Sequence, residues 1–352
     1  MKKIEQAKAL IHAQKREPLG FYPTPFHKLE RISEETGVNI YIKREDFSGM
    51  SLFGGNKIRK LEYLIGDAKA KGCDTVITFG ATQSNHAMQT ATVACKCGMK
   101  PILFLDAIVE PKAEDIRANL LLDAILGAEI HILTPLPGEN MAETLQRQRA
   151  VVDQRIAELE AEGHKVYELP TGGSTAVGIV GFMDAFVEMS EQAAAAGIDP
   201  EYIFTGSGTG GTMAGLTAGK VLLGSKARVI AIQVSPKDPV WYREHILELA
   251  NGGLERIGAE ERAKEEDFEC DPNYFAPGYE LPNPEANRDI RYLARTEGLF
   301  TDPVYSGKAF HGMMEYIRDG RVPKGSTVVF MHTGGATALF SEAEIIGDLA
   351  AL

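Results

Sequence analysis

The chain has 352 residues, of which 44% are hydrophobic and 24% charged, and this allows two lobes or one large α/β domain with an ample core. The 37 Lys and Arg residues are outnumbered by 49 Asp and Glu, and the formal net charge of −12 argues against nucleic acid or an anionic membrane as the main partner.

The first residues lack a long apolar run, so no signal peptide is expected, and the apolar stretch 101–109 is too short to cross a bilayer. Four cysteines do not make a disulfide framework, and no second Cys/His pair completes a metal site with Cys95 and Cys97. A cytoplasmic protein with reduced thiols and no metal is therefore expected.

Short β-type runs alternate with helical runs along most of the chain. This alternation predicts an α/β fold with parallel sheets covered by helices on both faces. The region 236–284 is less regular and is interpreted as a helix, a loop excursion and a return. The predicted strands are 74–80, 101–105, 129–133, 165–169, 202–205, 229–234 and 327–331, and the clearest predicted helices are 84–97, 113–126 and 139–162.

Three loops with functional character follow three of the predicted strands. They are residues 80–85, 205–212 and 332–335. Because parallel sheets bind ligands beyond the carboxyl ends of their strands, we expect these loops to contribute to one site.

The second of these loops is rich in glycine, with the sequence Gly206-Ser207-Gly208-Thr209-Gly210-Gly211-Thr212. It lies between a strand and the start of a helix, where backbone N–H groups and the helix dipole favour an anion. The loop is neither G-x-G-x-x-G in register nor a Walker loop. A phosphate cradle is the preferred interpretation, and a turn required only for packing is the alternative.

A lysine at a predicted helix start is the most informative single residue. Lys57 follows Gly54, Gly55 and Asn56, and it has Arg59 and Lys60 as neighbours. A lysine near other cations and partly removed from water has a lowered pKa and is a usable amine. Three cations on a solvated helix face are the alternative.

A lysine amine, the polar loop 83–86 and a phosphate cradle are the parts needed to hold pyridoxal phosphate as a Schiff base. Ser84 and Asn85 can donate to a phenolate or a carboxylate and can also cap a helix. A nucleotide-binding Rossmann protein, and a cofactor carrier without chemistry, are the competing hypotheses.

The same residues identify a family resemblance. The chain resembles the D-cysteine desulfhydrase and 1-aminocyclopropane-1-carboxylate deaminase family, which consists of pyridoxal phosphate enzymes with the two-lobed tryptophan-synthase-β-like fold (fold type II). The resemblance extends from about residue 23 to residue 340. It rests on Pro23 to Pro25, Ile42 to Asp46, Gly54 to Glu62, Gln83 to His86, Leu169 to Ser174, Asp302 to Lys308 and His332 to Gly335.

The resemblance implies that Lys57 carries the cofactor and serves as general acid/base. It implies that Ser84 holds the carboxylate of a small amino-acid substrate, with Asn85 and His86 beside it. Tyr305 would be a second acid/base or a polar wall. Asn85 would also bond the phenolic oxygen of the cofactor. The remaining cofactor contacts would come from Gly208, Thr209, Gly210, Gly211 and Thr212 at the phosphate, and from Ser306 or Thr333 at the ring nitrogen.

The ring-nitrogen positions bear on the reaction. A carboxylate beside the nitrogen makes the ring a strong electron sink, whereas a hydroxyl leaves the sink weaker. The deaminase branch has Glu after the tyrosine and Leu in place of the threonine, and this chain has Ser306 and Thr333. The resemblance is therefore closer to D-cysteine desulfhydrase, which eliminates sulfide and yields pyruvate and ammonia. L-cysteate sulfo-lyase and 1-aminocyclopropane-1-carboxylate deaminase are the alternatives.

Two departures from the family pattern bear on the substrate. Met88 stands where the family usually has Arg, and residues 241–279 match the family poorly and are candidates for the wall of the substrate pocket. The stereochemistry at the substrate's Cα stays open.

For the architecture we expect a small domain at 50–164 inserted into a large domain formed by 1–49 and 165–352, with the cofactor between them. The resemblance implies a homodimer.

Overall fold

The computed structural model describes residues 2–51, 54–279, 281 and 283–340. Phe53 of the lysine motif and residues 341–352 of the predicted large domain lie outside the described residues. The described strands are β1 (Phe26–Lys28), β2 (Asn39–Arg44), β3 (Thr75–Ala81), β4 (Lys100–Asp106), β5 (Glu129–Leu133), β6 (Val166–Leu169), β7 (Tyr202–Ser207), β8 (Arg228–Gln233), β9 (Glu269–Asp271) and β10 (Thr327–His332). The described helices are α1 (Lys2–His12), α2 (Glu30–Thr36), α3 (Lys57–Ala70), α4 (Asn85–Lys96), α5 (Ala118–Ile125), α6 (Met141–Ala161), α7 (Val180–Ala195), α8 (Gly211–Leu223), α9 (Pro239–Arg256), α10 (Pro284–Glu297) and α11 (Ser306–Arg318).

The larger sheet has the strand order β1-β2-β10-β7-β8-β9. Its neighbours are parallel except for the antiparallel edge pair β1 and β2. Residues along β10 alternate between two cores: Val329 and Met331 pack with α7, α8 and α9, and Val328 and Phe330 pack with α2, α10 and α11. Both faces of this sheet are therefore buried at its centre, which explains why β8 and β10 are largely apolar runs in the sequence.

The smaller sheet has the order β5-β4-β3-β6 and is parallel throughout. Three smaller apolar clusters cover it, with contributions from α3, α4, α5 and α6. Strand β6 pairs with β3, so this sheet extends to Leu169, past the predicted domain boundary at residue 164.

Two predicted segments differ in the structure. The helix expected at 113–126 is a short 3₁₀ turn at Ala113–Asp115 followed by α5, because the positive φ of 45° at Ala118, where α5 begins, prevents one helix from continuing through this position. In the irregular region, α9 is the expected helix, but β9 also joins the large sheet as its edge strand. Within the described residues, no helix has both the length and the apolar character needed to cross a bilayer.

Candidate active site

A cavity of about 380 Å³ lies where strands of both sheets end. The loops after β3, β7, β8 and β10 and the end of β4 all reach its wall, as expected for a ligand site at the carboxyl ends of parallel strands. The described lining residues are Asn56, Lys57, Lys60, Gly80, Ala81, Ser84, Asn85, His86, Asp106, Thr171, Gly172, Gly206, Ser207, Gly208, Thr209, Gly210, Thr212, Ser235, Lys237, Tyr279, Tyr305, Thr333 and Gly334.

Lys57 is the first residue of α3 and lies at the cavity wall. Its Nζ donates to Asn56 Oδ1 at 2.9 Å. Removal from water lowers the pKa of Lys57 to about 8, against the opposing charge of Asp302. A sizeable fraction of this amine is therefore neutral near pH 8, as a nucleophile or proton acceptor requires.

The glycine loop forms the start of α8. Gly210 precedes the helix with a φ of 82°. A Cβ on Gly211 would lie 2.4 Å from Ser174 Oγ and 2.7 Å from Lys60 Nζ, so a larger residue there would displace both side chains. Thr209 Oγ1 lies 2.8 Å from Ser174 Oγ. The predicted cradle residues line the cavity except Gly211, which lies behind the wall.

Lys60 adds a second amine to this end of the cavity, and this one is buried. The sequence pattern predicted no site role for it. Its Nζ donates to Gly172 O at 3.1 Å. Burial, and then the charge of Lys57, hold the pKa of Lys60 well below its usual value. Asn56 joins the lysine segment to the cradle, because its Nδ2 donates to Thr212 Oγ1 at 3.0 Å. The cradle thus combines a helix N-terminus with an amine that a bound phosphate would hold in its charged form, and this combination suits a phosphate.

The loop after β3 delivers three predicted residues to the wall. Ser84 caps α4 by accepting from Ala87 N at 3.2 Å, and Asn85 and His86 begin the helix. His86 Nε2 is 2.9 Å from Thr78 Oγ1, and burial keeps the pKa of His86 well below its usual value, so the ring is neutral. Met88 is buried in α4 and is not among the lining residues.

Two tyrosines form another part of the wall. The hydroxyl of Tyr305 lies against the hydroxyl of Tyr279, with the two rings edge to face. Only Tyr305 was predicted as a site residue. Tyr279 ends the segment that matches the family poorly, and that mismatch was the only sequence signal for it. Lys237, on the loop between β8 and α9 just before that segment, also lines the cavity.

The two predicted ring-nitrogen residues occupy different places. Thr333 is at the wall, whereas Ser306 is buried behind it and is not among the lining residues. Ser306 Oγ donates to Asp302 Oδ1 at 2.5 Å. Asp302 also accepts from the backbone N–H groups of Val304 and Tyr305, so this buried carboxylate fixes the turn that presents Tyr305.

The comparisons with known proteins decide the family. The sequence model of the pyridoxal-phosphate dependent enzymes matches residues 18–334, which is most of the chain. This protein belongs to that family. It is a pyridoxal-phosphate dependent enzyme of fold type II, so the predicted fold and cofactor are confirmed.

Relatives of this pyridoxal-phosphate enzyme carry related names. A protein of Thermotoga maritima named "putative 1-aminocyclopropane-1-carboxylate deaminase" is 39% identical over 92% of the chain and 97% of its own length. The 1-aminocyclopropane-1-carboxylate deaminase of Methylobacterium sp. (strain 4-46) is 38% identical over 92% of the chain and 95% of its own length. A crystal structure of an "ACC deaminase homologue" superposes with a TM-score of 0.84 at 34% identity, covering 97% of this chain and 98% of that one.

The described residues of this pyridoxal-phosphate enzyme fit the cofactor chemically. The glycine-rich cradle beside the Lys60 amine suits the phosphate, and the lowered pKa of Lys57 suits reaction with an aldehyde. The amide of Asn85 at the wall suits a phenolic oxygen. Lys57, Asn85, Lys60 and the cradle would therefore hold pyridoxal phosphate.

Proposed function

We propose that this enzyme is a lyase that eliminates sulfide from D-cysteine, or the equivalent group from a related small β-substituted amino acid, and releases pyruvate and ammonia. The observation that carries the proposal is the chemistry of the two ring-nitrogen positions. Thr333, a hydroxyl residue, lies at the cavity wall, and Ser306 is engaged with Asp302 behind it. Among the described lining residues, Asp106 is the only carboxylate, at the end of β4.

Bound pyridoxal phosphate supplies an electron sink that stabilises negative charge at the substrate's Cα. Lys57 is suited to take the α-proton, because the lowered pKa makes its amine a base near neutral pH. Ser84 and the N-terminus of α4 offer hydroxyl and backbone N–H groups to the substrate carboxylate. Tyr305 and Tyr279, whose hydroxyls lie against each other, also line the cavity, and one of them is suited to protonate a departing thiolate.

The hydroxyl at Thr333 favours elimination of a good leaving group. A hydroxyl does not hold a proton on the ring nitrogen as a carboxylate does, so the sink is moderate. Loss of a thiolate from the β-carbon needs only modest stabilisation of the carbanion, whereas opening a cyclopropane needs more. D-cysteine is therefore the first candidate substrate.

Deamination of 1-aminocyclopropane-1-carboxylate is the second candidate. Two relatives that share 39% and 38% of their residues with the chain carry that name. The Tyr279–Tyr305 pair also provides a proton donor for a ring-opening reaction.

A substrate with an anionic β-group, such as L-cysteate, is a third candidate. Lys57, Lys60 and Lys237 all line the cavity, against a single described carboxylate. Lys237 lines the cavity, is exposed and is not among the predicted cofactor contacts, so a sulfonate is a suitable partner for it.

The test is a panel of D-cysteine, L-cysteine, L-cysteate, D-serine, β-chloro-D-alanine and 1-aminocyclopropane-1-carboxylate, with keto acid, ammonia and sulfide measured together. We expect kcat/KM to be highest for D-cysteine, with equal amounts of sulfide, pyruvate and ammonia. Highest kcat/KM for the cyclopropane, with 2-oxobutyrate as product, would reject the proposal in favour of the second candidate, and sulfite from L-cysteate would favour the third. Lys57→Ala is the control, because loss of the acid/base should lower every rate by at least about 100-fold.

A further inference from the structure

Asn119 connects α5 to the predicted cofactor residue Asn85. It is the second residue of α5 and only 1% exposed. Its Nδ2 donates to Gln83 O at 2.8 Å and to Asn85 Oδ1 at 2.8 Å. Both N–H bonds of the Asn119 amide are therefore used within the protein.

These contacts decide which way the amide of Asn85 points. A backbone carbonyl only accepts hydrogen bonds, so the Asn119 atom facing Gln83 O must be the nitrogen. The same nitrogen faces Asn85, so the Asn85 atom it meets must be the oxygen. Thr337 Oγ1 also lies 3.3 Å from that oxygen. The Nδ2 of Asn85 is left on the other arm of the amide, close to Gly335 and the cavity wall.

Asn119 is itself held by a clamp around a strained residue. Gln83 Oε1 accepts from Asn119 N at 3.0 Å, and Gln83 Nε2 donates to Arg117 O at 3.1 Å. The residue between these contacts is Ala118, whose φ of 45° is unfavourable for an L-residue with a Cβ. Backbone strain of this kind persists where surrounding contacts over-determine the conformation, and it is concentrated at functional sites.

We propose that Asn119 is a positioning residue that fixes the amide of Asn85 with its N–H₂ group towards the cofactor's phenolic oxygen. The proposal rests on the cofactor role of Asn85 described above. A phenolate needs a donor, and an Asn85 turned the other way would present an oxygen lone pair to it. Asn119 removes that second orientation, because its own N–H would then face the N–H₂ of Asn85.

The orientation has a measurable consequence. A donor at the phenolate stabilises negative charge, and that charge is larger when the nitrogen linking Lys57 to the cofactor has lost its proton. Loss or inversion of the donor therefore raises the pKa of this linking nitrogen. This pKa is read from the absorption spectrum of the resting enzyme as pH is varied, without any substrate.

The experiment titrates the cofactor band of the holoenzyme for Asn119→Asp and Asn119→Ala, each with and without Asn85→Ala. Aspartate cannot donate to Asn85 Oδ1, so it favours the inverted amide, and we expect the pKa to rise by about one unit. Alanine removes the donor without adding charge, and we expect a smaller rise. In the Asn85→Ala background neither substitution should shift the pKa further, because an effect exerted through Asn85 is lost with it.

Leu121→Ala, on the exposed side of α5, is the matched control and should titrate like the wild type. An unchanged pKa in both single variants, or equal shifts with and without Asn85, would overturn the proposal. The second pattern would mean that the added charge or altered packing acts directly. If Asn119→Asp does not fold, Asn119→Ala carries the same test. Absence of the cofactor band in the wild type would instead contradict the cofactor site itself, so the two failures are distinguishable.

Discussion

Two lysines, the half-buried Lys57 and the buried Lys60, share the first turn of α3. At a spacing of three residues they lie on the same face of the helix and both reach the cavity. Burial lowers the pKa of each, and the charge of Lys57 lowers that of Lys60 further. The Nζ of Lys60 lies beside the start of α8. A phosphate dianion bound there would raise the pKa of Lys60 and hold the amine charged. With the cofactor bound as proposed, Lys57 would serve its aldehyde end and Lys60 its phosphate end.

This division predicts that Lys60→Met weakens binding of pyridoxal phosphate but not of pyridoxal, which lacks the phosphate. A charge-assisted hydrogen bond contributes about 1.5–3 kcal/mol, so the dissociation constant for pyridoxal phosphate should rise by about 10- to 100-fold. Equilibrium binding to the apoenzyme measures both ligands.

Lys69→Met is the matched control for that measurement. Lys69 belongs to the same helix, but its side chain is 38% exposed and pairs with Glu17, away from the cavity. It should leave both dissociation constants unchanged. Equal weakening of the two ligands by Lys60→Met would show that Lys60 supports the cavity as a whole and does not bind the phosphate.

Helix α5 contains a buried carboxylate at the next turn after Asn119. Asp123 is fully buried, and neither carboxylate oxygen has a hydrogen-bond partner among the described residues. Burial raises the pKa of Asp123 from 3.8 to about 8. The folded state then binds more protons than the unfolded state between these two values, so the free energy of unfolding falls as pH rises from about 4 to 8 and levels off above that.

We therefore predict that Asp123→Asn stabilises the protein at pH 8 and has little effect at pH 4. At about 1.4 kcal/mol per pH unit, the gain in free energy of unfolding is of the order of a few kcal/mol at pH 8. Urea unfolding at several pH values measures it. The control is Glu114→Gln, an exposed carboxylate just before α5. A stability difference between wild type and Asp123→Asn that does not change with pH would refute the raised pKa.

The sequence predicts the elements that depend on local pattern and misses those that depend on distant partners. The strands before the three functional loops, and the glycine start of α8, follow from apolar runs and from glycine, and they lie within a residue or two of their predicted bounds. The break before α5 was missed because 113–126 has an unbroken helical composition. It is imposed by Gln83, more than thirty residues earlier in the chain.

The same reason explains the site residues that the sequence analysis overlooked. Lys60 has a role because Gly172 and Gly211 lie beside it, and Tyr279 because Tyr305 does. Such contacts join segments that are far apart in the chain, and no motif marks them. Ser306 shows the converse, since a motif position adjacent to the site is turned inward by Asp302.

At the scale of the whole molecule, the cavity joins two sheets that have separate apolar cores. The cradle follows β7 of the large sheet, whereas Ser84 and Asn85 follow β3 of the small sheet. Asn56 immediately precedes α3, which helps to cover the small sheet, and it reaches two loops of the large sheet. Its side chain contacts Thr212, and its backbone N–H donates to Thr333 O at 3.0 Å. A cofactor that contacts loops of both sheets would connect them further.

This arrangement predicts that pyridoxal phosphate stabilises both halves together. A ligand that binds only the folded state stabilises it by about 2.7 kcal/mol at a concentration 100 times its Kd, so Tm should rise continuously with added cofactor. Hydrogen exchange should slow at the first turns of both α4 and α8.

Pyridoxine 5′-phosphate, which lacks the aldehyde, is the control ligand and should give a smaller rise in Tm in the wild type. Lys57→Ala should show a similar small rise with either ligand, because it cannot form the covalent linkage. Slower exchange confined to α8 would mean that the cofactor contacts only the large sheet, and the assignment of Asn85 to its phenolic oxygen would then be wrong.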